Sequence, residues 1–71
     1  MSRNQKLYLK DIYDSAKAIL EYTAGFSFKQ FLQDRKTYAA TIREFEIIGM
    51  AVASLSEDAK ARFPGVEWQD I

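Results

Sequence analysis

The sequence predicts an all-α fold, a small antiparallel helical bundle completed by pairing with a second copy. Two long stretches place apolar residues at alternating steps of three and four, the spacing of one helical face. Hydroxyl or acidic residues stand just ahead of several segments, where they can cap a helix start. No stretch alternates apolar and polar residues as a half-buried strand does. Seventy-one residues form a single domain, 1–71, and 48% hydrophobic residues are enough for a packed core. A chain this short buries only about 60% of its unfolded surface, so it needs a further stabiliser. With no cysteine and no histidine, disulfides and ordinary zinc ligation are closed to it, which leaves self-association.

The first helix is expected from about Asn4 to Thr23. Leu9, Ile12, Ala16, Ile19 and Thr23 form its apolar stripe, widened by Tyr13 and Leu20. Lys10, Asp14, Lys17 and Glu21 take the other side, with Asp14–Lys17 and Lys17–Glu21 placed to pair. Gly25 ends this helix, because glycine adopts positive φ freely. Ser27 and Gln30 form a capping box for a short second helix, whose Phe28, Phe31 and Leu32 should plug one end of the core. Asp34 or Thr37 can cap the third helix, Tyr38 to Leu55. Tyr38, Ile42, Phe45, Ile48 or Gly49, Val52 and Leu55 keep the helical step, while Ile47 and Ala51 add a second apolar face. Such a helix has more to bury than one neighbour covers, so a partner chain is expected on Tyr38, Ile42, Phe45, Ile48, Gly49 and Val52. Ser56-Glu57-Asp58 opens a fourth helix, with acids where the helix dipole favours them, and it ends before Pro64. Trp68 to Ile71 reads as the start of another helix.

Ten basic and ten acidic residues cancel, which argues against a non-specific nucleic-acid binder. The N-terminus lacks an apolar signal core, and no run approaches the roughly 18 apolar residues of a membrane span. A cytoplasmic protein without membrane contact is expected. No residue pattern calls for a cofactor or a metal.

Three stretches together resemble the HepT-like branch of the HEPN superfamily, small helical ribonuclease toxins. They are Leu7-Tyr8-Leu9-Lys10-Asp11-Ile12 leading to Ile19-Leu20-Glu21-Tyr22-Thr23; Phe26-Ser27-Phe28-Lys29-Gln30-Phe31-Leu32 with Asp34-Arg35-Lys36-Thr37; and Ile42-Arg43-Glu44-Phe45-Glu46-Ile47-Ile48-Gly49 with the later Pro64 and Trp68. The resemblance implies a dimeric bundle and a small nucleotidyltransferase antitoxin as partner. It also implies a metal-independent endoribonuclease site built from an arginine, then a histidine after four intervening residues, then a tyrosine two positions on. In the family that motif follows the position of Ile71. Here no arginine follows Arg62 and no histidine occurs, so no catalytic residue can be assigned. RNA is thus a substrate only of a complete relative. The family also commonly has Asn and Glu where this chain has Glu44 and Met50. Losing the acid at Met50 suggests relaxed demand for polar contacts near the family's active site, although methionine also fills irregular apolar gaps.

Arg43 and Glu46 either support a catalytic groove or form an ordinary surface ion pair at i, i+3. Gly49, in mid-helix, costs about 1 kcal/mol relative to alanine, which points to close approach of another helix. Tyr8, Tyr13, Tyr22 and Tyr38 are expected at the core edge with their hydroxyls in water. Lys29, Arg35 and Lys36 read as a solvated basic loop. Trp68 should pack over Phe63 and seal the bundle end.

The expected function is therefore a HepT-like toxin–antitoxin protein, inactive as this chain and serving as a helical dimerisation or interaction module. The alternatives are an accessory or substrate-binding partner of a small nucleotidyltransferase, and a shortened form of an active ribonuclease toxin.

Overall fold

Local capping chemistry explains most element boundaries in the computed structural model, which describes residues 2–71. The elements are α1 (Arg3–Thr23), α2 (Phe28–Gln33), α3 (Arg35–Ser54), α4 (Glu57–Ala61) and a 3-10 turn at Trp68–Asp70. The Ser2 hydroxyl accepts from the Gln5 amide to start α1. Gly25, at φ 79°, follows its last turn and reverses the chain as expected. Ser27 and Gln30 make the full reciprocal capping box of α2. Asp34, not Thr37, caps α3 by accepting from the Thr37 amide, so the helix starts at Arg35, three residues earlier than expected. Arg35 and Lys36 are therefore helical, though still exposed. Ser56 caps α4. The final segment winds only into a 3-10 turn, tied back by the Trp68 indole N–H donating to the Lys60 carbonyl at 3.2 Å.

The helix α1 packs along α3, and α2 packs on α3. The pair is antiparallel. Gln5 near the start of α1 meets Ser54, the last residue of α3, and Ser56 just beyond it, while Tyr22 near the end of α1 meets Glu44 in the middle of α3. Ser15 and Thr41 are buried, and two small side chains let these helices approach closely. The buried apolar residues are Ile48, Ala51, Val52, Leu55 and Ala59. Ile12 and Ile19 lie half-buried in the same seam.

The buried stripe of α1 is rotated from the expected one. Ser15 is its centre, whereas Ala16, Tyr13 and Leu20 face outward. The plug of α2 is likewise only partial. Phe31 turns in, its ring 5.5 Å from that of Tyr38, while Phe28 and Leu32 are exposed. Neither expected ion pair of α1 forms among the described residues; Lys10 pairs with Asp14 instead.

One polar clamp fixes where α4 leaves α3. The Gln5 side chain donates to the Ser54 carbonyl and accepts from the Ser56 amide at 2.8 Å, so a single amide spans the α3–α4 corner. Gln5→Ala is expected to cost about 1–2 kcal/mol, the loss of two hydrogen bonds at the edge of solvent. The check is thermal melting by circular dichroism, and an unchanged midpoint shows that water replaces the clamp.

The molecule is more open than its length requires. Its surface is 5494 Å², against roughly 4500 Å² for a compact protein of this mass. Its radius of gyration is 13.9 Å, against about 11 Å. A pair of long helices with one short helix at each end leaves apolar surface uncovered, and that surface is the candidate site.

Candidate interaction surface

At 100° per residue, Tyr13, Ala16 and Leu20 continue the arc of α1 just past its buried stripe. Tyr38, Ile42, Phe45 and Gly49 do the same on α3. In an antiparallel pair both rows emerge on the same side of the seam, so they form one apolar face. The exposures bear this out: Leu20 is 73% exposed, Tyr13 65% and Phe45 56%. Large apolar side chains are rarely left this open over a contiguous face unless something covers it.

The expected partner-contacting residues divide accordingly. Ile48 and Val52 are buried against α1 and serve the chain's own core. Tyr38, Ile42, Phe45 and Gly49 are exposed. No helix of this chain approaches Gly49, since a Cβ built there meets nothing within 4 Å. Met50 is 66% exposed and fills no internal gap.

A groove of about 440 Å³ runs into this face beside α2. Ile19 and Thr23 of α1, Thr41 and Phe45 of α3, and Phe28 and Phe31 of α2 line it. No charged residue does. At its base the Thr41 hydroxyl is buried without a hydrogen-bond partner, although the nearby Thr23 hydroxyl satisfies itself on the Ile19 carbonyl at 2.8 Å. A second cleft, about 580 Å³, lies between α4 and the final turn and mixes Glu57, Lys60, Glu67, Trp68 and Asp70.

Arg43 and Glu46 are both exposed and form no ion pair with each other within 4 Å. The polar contact in this stretch belongs to Glu44, which accepts from the Tyr22 hydroxyl at 3.0 Å. Tyr22 thus has a protein partner where water was expected. The carboxylate holds the phenolic proton, first through the hydrogen bond and then through its negative charge, so the Tyr22 pKa is raised above its ordinary value. The raised pKa fixes the sign of its effect: this link contributes stability below the ordinary tyrosine pKa and loses it as pH climbs through the raised one. Wild type should therefore lose stability more steeply than Tyr22→Phe in alkaline solution. Urea midpoints measured across that range decide it, and parallel curves for the two proteins refute the link.

Among the described residues no group of His, Cys, Asp or Glu could hold a metal ion, and no helix is long and apolar enough to cross a membrane. Two antiparallel amphipathic helices, flanked by two short ones and with an apolar side left uncovered, define a small all-α bundle. The sequence profile of the family described as "Ribonuclease HepT-like" matches residues 12–71, and the chain belongs to that family, within the HEPN superfamily. Similar proteins include the "Putative RNase MJ0127" of Methanocaldococcus jannaschii, 39% identical over 97% of this chain and 57% of its own length. The "Probable ribonuclease HepT" of Thermococcus cleftensis is 39% identical over 100% of this chain and 64% of its own. A further Methanocaldococcus jannaschii protein, "Putative RNase MJ1380", is 33% identical over 97% and 63%. The chain therefore spans roughly three-fifths of the length of these relatives. No solved structure matches it.

Proposed function

We propose that this chain is a HepT-type toxin–antitoxin protein of the cytoplasm, related to endoribonuclease toxins but without ribonuclease activity by itself. It acts as a helical module that pairs with a second copy. The observation that carries the reading is that this chain has no histidine, while relatives in its family are named as ribonucleases. Imidazole is the side chain whose ordinary pKa lies near neutral pH, whereas Lys, Tyr and carboxylates exchange protons there only when their surroundings shift them. The outer flank of α3, with Tyr38, Ile42 and Gly49, supports the pairing. A small nucleotidyltransferase is a second partner on this reading, the role that the family resemblance implies.

Purified chain should leave RNA intact and sediment as a dimer at micromolar concentration, and Ile42→Ser should convert it to monomer. RNA cleavage that follows this polypeptide through purification overturns the inactivity. A stable wild-type monomer overturns the pairing.

A further inference from the structure

We infer that the cleft between α4 and the final turn binds an organic cation, a primary ammonium group on an aliphatic stem. The cleft measures about 580 Å³, within the range of small-molecule sites. Its charges are unbalanced, since Glu57, Glu67 and Asp70 line it against the single cation of Lys60. Lys60 stands 3.8 Å from Glu57, and no cation pairs with Glu67 or Asp70 among the described residues. The Asp70 amide donates to the Glu67 carbonyl at 3.0 Å, which closes the 3-10 turn and sets residues three apart on the same side. Two like charges held side by side repel, and one cation entering the cleft relieves both.

Trp68 supplies the other half of the recognition. It is half-buried while its neighbours in the final segment are exposed, and its indole N–H is tethered to the Lys60 carbonyl. An indole in such a cleft attracts a cation through its ring quadrupole. Pro64 in the same wall gives an aliphatic stem an apolar contact. Other ligand classes fit less well. An anion meets three carboxylates. No three acids among the described residues are grouped closely enough to hold a metal ion, so an inorganic cation lacks its ligand set. An organic cation needs only a carboxylate pair and an aromatic ring, and the cleft provides both. None of these residues lies on α1 or α3, so the inference stands apart from the pairing and the inactivity proposed above.

Trp68 is the chain's only tryptophan, so its emission reports this cleft directly. Putrescine, a four-carbon diamine, titrated into the full chain at low salt should change that emission saturably, with half-saturation below about 1 mM. Butanediol, of the same length without charge, should leave it unchanged. Glu67→Gln combined with Asp70→Asn should weaken putrescine binding about tenfold. Both positions are exposed, so the helical circular dichroism of this variant should match wild type. Asp14→Asn removes a carboxylate elsewhere, the partner of Lys10, and should leave binding as it is. A capped tripeptide with a central lysine, run alongside, separates the two sources of this chemistry. Tighter binding of the tripeptide assigns the cleft to a lysine side chain of another protein, and tighter binding of putrescine to a free polyamine. An equal response to diamine and diol, unchanged binding in the doubly neutralised protein, or equal loss in Asp14→Asn overturns the inference. So does the absence of any saturable response.

Discussion

Leu55→Ala removes half or more of the chain's folding stability. Leu55 is 5% exposed and is one of five buried apolar residues among the described ones, the others being Ile48, Ala51, Val52 and Ala59. It sits at the C-cap of α3, where its amide donates to the Val52 carbonyl, and so joins the main helix pair to the α4 corner. Removing a buried leucine side chain costs about 2–5 kcal/mol. At about 0.05–0.15 kcal/mol per residue, a chain of this size holds roughly 4–10 kcal/mol in all. The excess surface puts this chain at the low end of that range, so the lost contacts consume half its stability or more. Leu20→Ala is the matched control, a leucine of the same chemistry at 73% exposure, and it should change stability by less than about 0.5 kcal/mol. Urea denaturation followed by circular dichroism measures both. Near-equal effects of the two substitutions contradict a core confined to the α1–α3–α4 seam.

The contrast between those two leucines shows what was legible in the sequence. Periodicity marks every position that some neighbour covers, in this chain or outside it, without saying which neighbour. Tyr13, Leu20, Ile42 and Phe45 obey the helical step as well as Ile12 or Val52 do, yet only the latter find their cover within the chain. Capping chemistry is local, spanning three residues, and so the Ser27 box, the Ser56 cap and the Gly25 reversal were all readable. The choice of Asp34 over Thr37 needed the backbone, since either side chain can serve. The Gln5 clamp and the Tyr22–Glu44 bond join residues 49, 51 and 22 positions apart, and no spacing rule reaches that far. The family resemblance in turn reached the ancestry and the overall architecture, because helix order and glycine, proline and tryptophan positions survive where individual polar contacts change. Glu44 illustrates that limit. A departure from the family's common residue in the sequence, it is in the structure a tie between the two long helices.

On the proposed function, joining this chain to the part of the Thermococcus cleftensis relative outside the matched region should yield RNA cleavage that this chain alone does not show. The family resemblance places an arginine, a histidine and a tyrosine in sequence beyond the position of Ile71, and this chain supplies none of the imidazole chemistry itself. A positioned acid–base group contributes about 10²–10⁴-fold to rate, so the joined protein should exceed this chain by at least about 100-fold under the same conditions. The gain depends on the scaffold as well as the motif, because a proton is transferred only when donor and acceptor are held within hydrogen-bond reach. Helices α1 and α3 present an apolar face wide enough to fix an added helix, and a helix held there presents its polar side in one orientation. Two controls separate the contributions. Changing the histidine of the added segment to alanine should return cleavage to background. Chelator should leave the rate unchanged, since the family resemblance implies a metal-independent reaction. A joined protein that folds with the expected helix content yet cleaves no faster than this chain alone shows that Glu44 and Met50 have remade the scaffold beyond rescue by the family's motif.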